Sequence, residues 1–463
     1  MKYRFEDVVL KEIPRPGKDC SMIPVTLSDE TMECRKQLVL SKMEERGLDS
    51  LIVYGDLEHG GNFEYLIGFL PRFEEALLVL HKDGSAYLVL GNENENKASK
   101  SRIPVKGVLA SYFSLPNQPM KNNMPFVEIL RQTEIAGGKV GVAGWKLFRS
   151  RYEDNSKLFD LPYYMLEAIF EICGRENVVN ATEIFFGRDG VRNINNANEI
   201  AHYEFGAALA SDAMLNALDA LKPGLSEFEA GHLLQCCGQR PNIVTIAAFG
   251  ERFIKANMYP TERTLQPGCS VSLTVGFKGG STSRSGVAVS DVCELPENQQ
   301  DYIEKVVAPY FTAIRAWLEN IKVGMKGGEL YDLVEEVIPK KDFHWYLCPG
   351  HLTSDEEWSC SPIYEGSEDI IRSGMLFQTD IIPSISGYPG TCVESPLAVA
   401  DEKLRNEIKQ QYPEMYQRMM ERREYIINEI GINLSEDVLP TGSVLGYLRP
   451  LMLSKKAVVI KKN

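Results

Sequence analysis

The sequence predicts an α/β fold in two domains, the second of them internally duplicated. Three observations carry this. Short apolar runs of strand length alternate with helix-like periodicity through roughly the first 180 residues. A polar stretch rich in glycine and asparagine, Gly187–Asn198, then breaks the pattern ahead of a long helix rich in alanine and leucine. Beyond it, two pairs of segments repeat each other in the same order. At 463 residues the chain also exceeds what one hydrophobic core serves.

Residues 1–28 read as an irregular leader. From Asp29 to Arg46, Met32, Val39 and Met43 fall on one helix face, and Gly47 supplies a stop. Leu51–Tyr54 reads as a buried strand, and Tyr65–Phe69 follows a polar stretch containing glycine. Ala76–Leu80 and Ala86–Leu90 flank Lys82-Asp83-Gly84, a hairpin signal. Val105–Leu109 and Val140–Val142 are further strands, with helices near 124–132 and 164–173. After the boundary, a helix over Ile200–Leu221 stops at Lys222-Pro223-Gly224. Another over Gln300–Ile321 carries Pro309, which predicts a kink or a split. Residues 401–463 form a charged helical extension with a break at Pro413, then short apolar segments and a basic end. The domain limits are 1–186, 187–400 and 401–463.

The repeat is specific. Leu221-Lys222-Pro223-Gly224-Leu225 with Glu229 matches Ile321-Lys322-Val323-Gly324-Met325 with Glu329. Gly268 to Thr274 matches Gly374 to Asp380, each a glycine followed by a β-rich run. Two such matches imply two αβ halves related by a pseudo-twofold, with a site at the strands between them.

Charge and composition exclude several classes. The chain has 50 Lys+Arg against 64 Asp+Glu, a net charge of −14, which argues against binding nucleic acid or anionic membranes. No apolar run reaches the roughly 18 residues of a membrane-spanning helix. Met1–Asp19 is mixed in charge, holds Pro14 and Pro16, and lacks the apolar core of a signal peptide. Ten scattered cysteines, Cys236 and Cys237 adjacent, fit reduced thiols and a cytoplasmic address.

Several segments then resemble one family. Arg192-x-Ile194 with Glu199, the turn Leu221–Glu227, Arg284 after Ser281-Thr282-Ser283, Gly374–Asp380 and Gly390–Glu394 resemble, in order, the motifs of the creatinase, prolidase and aminopeptidase P group. Gly47–Val53 and Tyr65–Phe69 resemble its N-terminal segments. The resemblance implies a creatinase-like N-terminal domain, then a "pita-bread" domain of M24 type, and a homodimer.

The resemblance also sets the site expectations. Active peptidases of the family hold two divalent cations with two Asp, one His and two Glu, because paired cations need several carboxylates. Here the Asp positions fall on Thr274 and Ser281. The His position falls on His351 and the Glu positions on Asp380 and Glu394. No acidic residue lies between Arg263 and Ser290, so neither Asp is recovered by shifting the match. The family's two substrate-contacting His positions fall on Asn257 and Trp358. Arg284 reads as a clamp for a substrate carboxylate or, preferably, as an ion-pair partner of Glu394.

The candidate catalytic residues are therefore His351, Asp380 and Glu394, with Asn257, Arg284 and Trp358 facing substrate. The centre holds no metal or a single Mn, Co or Zn ion. Without metal the two carboxylates repel, and one pKa rises. Cys348, with His351 and Cys360, reads as a free thiol and not a zinc ligand. Three functions follow. The first is hydrolysis of a C–N bond in a small amino-acid, peptide or guanidino-like substrate, with one metal or none. The second is a catalytically silent ligand-binding module, and the third a protein-interaction scaffold.

Overall fold

In the computed structural model, which describes residues 2–119 and 124–461, the first strand, β1 (Val8–Glu12), does not join the strands that follow it. It pairs antiparallel with the last strand of the chain, Val8 opposite Ile460. The chain accordingly divides into a unit of Leu27–Asn193 and a second unit of Met1–Thr26 with Ile194–Asn463. This corrects the expected limits. The leader folds with the C-terminal half, because its free β edge is satisfied there and Asp19 binds Arg422 at 2.7 Å. The main division lies between Asn193 and Ile194, inside the boundary stretch Gly187–Asn198.

The unit of Leu27–Asn193 opens with α1 (Asp29–Glu45), whose Ser28 cap accepts from the Thr31 N–H. It continues through β2 (Ser50–Gly55), α2 (Gly61–Ile67), β3 (Ala76–His81), β4 (Ala86–Leu90) and β5 (Lys106–Leu109). Then come α3 (Phe126–Arg131), β6 (Val140–Ala143), α4 (Tyr163–Cys173) and β7 (Val178–Asn180). The strands form one mixed sheet in the order β5-β4-β3-β2-β6-β7. β2 and β4 are buried along their whole length, which is why they read as unbroken apolar runs.

The other unit is built twice on one plan. α5 (Ala197–Ala220) starts at Asn196, which caps it in a capping box with Glu199. It leads to α6 (Glu227–Leu234), β8 (Ile246–Phe249), β9 (Ser270–Phe277) and β10 (Gly280–Val287), a sheet ordered β10-β9-β8. The second copy starts with a π-helical turn at Ile303–Val307. α7 (Ala308–Asn320) follows without a break, with Pro309 just past the π-helical turn. Next come α8 (Gly327–Val337), α9 (Lys340–Phe343), β11 (His351–Leu352), β12 (Met375–Gln378) and β13 (Pro396–Val399), with α10 (Glu402–Gln411) and α11 (Pro413–Tyr425) behind them. β14 (Val438–Pro440) completes a sheet ordered β11-β12-β13-β14, and β15 (Lys456–Ile460) is the partner of β1.

The duplication is visible bond by bond. The Gly224 N–H donates to Leu265 O and the Gly324 N–H to Ile371 O, both at 2.9 Å. Leu265 and Ile371 return bonds to Leu225 and Met325, both at 2.8 Å. Isolated bridges follow at Ser226–Thr264 and Lys326–Ile370. The extension is part of the same core: Leu404, Ile408, Met415 and Met419 pack with Ile200, Ala201 and Tyr203 of α5. Arg422, fully buried, binds Asp19 and Glu204 together.

Candidate active site

The two sheets of this unit meet where β10 runs beside the segment leading into β13. Ser285 and Cys392 exchange backbone bonds at 3.3 Å, and the Ser283 N–H donates to Glu394 O at 3.2 Å. Arg284 holds this junction. Its Nε donates to Tyr447 O at 2.8 Å, its Nη1 to Glu394 O at 2.8 Å, and its Nη2 to Ser395 Oγ at 3.1 Å and to Val444 O. The guanidinium is 1% exposed, and burial lowers its pKa to about 10. The preferred ion pair does not form: Arg284 reaches the carbonyl of Glu394, not its carboxylate. Its donors are spent on the chain itself, which leaves no fork aimed at a ligand.

His351, Asp380 and Glu394 do converge. One donor atom from each lies within 4.8 Å of the others. β11 brings His351 beside Gln378 of β12, after a turn at Gly350 whose φ of 114° disfavours a side chain. Asp380 follows β12 and Glu394 precedes β13. All three residues are less than a tenth exposed.

The protonation pattern follows from the contacts. His351 Nδ1 lies 3.2 Å from Leu352 O. A carbonyl only accepts, so Nδ1 carries the proton and Nε2 presents a lone pair. Burial lowers the ring pKa to about 4, so it is neutral at pH 7. Nε2 lies 3.7 Å from Asp380 Oδ2, and Asp380 Oδ1, also buried, has no hydrogen-bond partner among the described residues. Two acceptors face each other across that gap, so a proton or a cation belongs between them. Burial, then Glu394, then Glu357 raise the Asp380 pKa to about 8, and burial raises that of Glu394 as well.

Two residues of this site escape a reading of the sequence. Glu357 is one. Its pKa rises to about 8 through burial and then through repulsion from Glu394, and Ser281 Oγ approaches its Oε1 at 3.4 Å. The loop carrying it is pinned to the β9–β10 hairpin by the Gly279 N–H to Ser354 O bond at 2.7 Å and by Lys278–Asp355 at 3.1 Å. The acidic run Asp355-Glu356-Glu357 is plain in the sequence, but not which member reaches Ser281. The other is Gln378, wholly buried, whose Nε2 donates to both Glu394 Oε1 and Ser281 Oγ.

The first repeat contributes hydroxyls. Thr274 lies opposite Ser283 across β9 and β10, and Thr274 Oγ1 donates to Ser283 Oγ at 3.0 Å. Ser281 is two residues along β10, and so on the same face. Trp358 is half exposed, its ring centroid 5.6 Å from that of His351. Asn257 is exposed and exchanges hydrogen bonds with Tyr259, two residues on, rather than with the groups around His351.

A single divalent ion fits these donors. Nitrogen and oxygen ligands about 2.1 Å from a tetrahedral ion stand roughly 3.4 Å apart, close to the 3.7 Å between His351 and Asp380, and the orphaned Asp380 oxygen is a ready ligand. The face of β9 and β10 itself offers a second ion only Thr274, Ser281 and Ser283, which supply no charge.

Comparison with known proteins agrees with the architecture. Residues 202–391 match the model of metallopeptidase family M24. No curated protein matches by sequence. The Xaa-Pro dipeptidase from Bacillus anthracis superposes with a TM-score of 0.60 at 17% identity, covering 80% of this chain and 96% of that one. The prolidase from Pyrococcus horikoshii OT3 gives 0.60 at 18% identity, with coverages of 79% and 95%. That from Thermococcus sibiricus gives 0.61 at 16%, with coverages of 81% and 96%. At these identities the structures speak for the fold alone. The chain therefore has the fold of the M24 "pita-bread" proteins, and its residues 202–391 match that family's model.

Proposed function

We propose that the chain is a hydrolase of M24 type that cleaves a C–N bond in a small amino-acid or peptide-like substrate with one cation, not two. The observation behind this is the face of β9 and β10, where Thr274, Ser281 and Ser283 stand and no carboxylate does. His351, Asp380 and Glu394 would hold the ion, which supplies Lewis acidity and an activated water when bound. Glu357 stands outside that set. Its Oε1 lies 3.4 Å from Ser281 Oγ, which leaves it as the acid placed to hand a proton to the leaving nitrogen. Trp358, beside His351 and half exposed, offers an apolar wall to the ligand.

The test is a Mn²⁺ or Co²⁺ titration by equilibrium dialysis, with hydrolysis of a dipeptide panel. One equivalent bound, lost in His351→Ala, supports the reading, as does turnover lost in Glu357→Gln. Two equivalents, or none, would sink it. A silent binding module is the second reading. It is favoured by Gln378, whose amide ties up Glu394. Saturable ligand binding without turnover in any metal would select it. We also infer a homodimer, which light scattering on the eluting protein would test.

A further inference from the structure

We propose that Gln378 restricts the centre to one cation, its carboxamide standing in the place between the two repeats that a second ion would need. This deepens the one-cation reading and rests on it. It differs in naming an occupant, not only missing ligands.

The geometry of the amide is fully determined. The Ser281 backbone N–H donates to Gln378 Oε1 at 2.8 Å. A backbone N–H cannot accept, so the amide oxygen must face it and Nε2 must point the other way. Nε2 then spends its two protons on Glu394 Oε1 and Ser281 Oγ. Ser281 Oγ, having accepted one bond, donates its own proton towards Glu357 Oε1 at 3.4 Å. The result is a chain of hydrogen bonds, Glu357–Ser281–Gln378–Glu394, in which both amide protons and the Ser281 hydroxyl are used. Gln378 is 0% exposed, and its neighbour across the strands is His351. The amide thus links a carboxylate of the second repeat to the first repeat's hydroxyl, the bridging task a cation performs between carboxylates. It does so covalently attached and without net charge. Restoring the missing carboxylates alone would therefore leave the place filled.

The experiment counts Mn²⁺ by equilibrium dialysis and reads exchange coupling by electron paramagnetic resonance. It compares the wild type, the Thr274→Asp/Ser281→Asp variant, and the same variant carrying Gln378→Thr. The triple variant is expected to bind one Mn²⁺ more than the double variant and to show a coupled pair, while the double variant matches the wild type. The difference between double and triple variants is read whatever the wild type binds, so failure of the one-cation reading stays distinguishable. A second ion taken up with Gln378 still present overturns the proposal. So does a triple variant that keeps the wild-type circular dichroism and gains none. Gln378→Met alone keeps the bulk and removes both donors. Freeing Glu394 of a charge-assisted bond is expected to tighten Mn²⁺ binding by about tenfold; unchanged or weaker binding would count against the amide.

Discussion

The two repeats of the C-terminal unit share a backbone plan and differ in chemistry. Gly224 and Gly324 make the same turn and the same 2.9 Å bond to the strand behind it. Yet the strand pair of the first repeat presents Thr274, Ser281 and Ser283, while the second presents His351, Gln378, Asp380 and Glu394. The first also carries Arg284, which fastens it to the second through carbonyls. Backbone hydrogen bonds are indifferent to side-chain charge, so a fold can keep its symmetry while one half gives up its anionic ligands. The half without carboxylates fastens the junction through Arg284, and the half with them gathers the buried ionisable groups.

The largest expected effect separates these roles. Arg284→Met should destabilise the protein by about 3 kcal/mol or more, because several buried carbonyls lose their donor. Urea unfolding measures it; a cost below about 1 kcal/mol would mean the junction does not depend on this residue. Next is the cation. Mn²⁺ at a hundred times its dissociation constant should stabilise the fold by about 2.7 kcal/mol, and Asp380→Asn should abolish most of that gain in a thermal melt.

The third prediction is a pH slope in metal-free protein. Asp380 and Glu357, both raised to about 8, bind protons more readily folded than unfolded. Their contribution is complete below the ordinary carboxylate range and is lost as pH rises through 8. His351, lowered to about 4, works oppositely: its contribution is present above about 6.5 and lost as pH falls towards 4. Between about 6.5 and 8 only the carboxyls act, so the melting temperature should fall as pH rises there. Asp380→Asn should reduce that slope and leave the Glu357 share, and a rising melting temperature would contradict the assigned protonation.

Smaller effects probe the symmetry itself. Gly224 and Gly324 have φ of 88° and 87° with open space around both. Alanine at either should cost about 1–2 kcal/mol, equal within experimental error; unequal costs would show that the turns are not equivalent. The helix starts after them differ. Ser226 caps α6 in a capping box, whereas Lys326 gives α8 no side-chain cap. Ser226→Ala should cost about 1 kcal/mol. Lys326→Ala, losing only an exposed pair with Glu368, should leave the melting temperature nearly unchanged.

Much of the fold was legible in the sequence because the signals are local. The run Leu51–Tyr54, the hairpin at Lys82-Asp83-Gly84, the interruption at Pro413, and the paired turn glycines each act through a few neighbouring residues. The destination of the leader was not legible. β1 finds its partner more than 440 residues away in β15, and nothing in Val8–Glu12 names that strand. Arg284 shows the same limit: its presence in a polar strand suggested a charge partner, but burial turned its donors onto carbonyls.

The sequence by itself determined the doubled αβ plan and the absence of carboxylates between Arg263 and Ser290, since periodicity and residue type need no coordinates. It also singled out His351, Asp380 and Glu394. Only the tertiary structure decided that these three converge, that Glu357 of three adjacent acids reaches Ser281, and that Gln378 fills the space beside Glu394. Those facts depend on a loop pinned to a distant hairpin and on side chains crossing between repeats. Such long-range contacts leave no periodic trace along the chain.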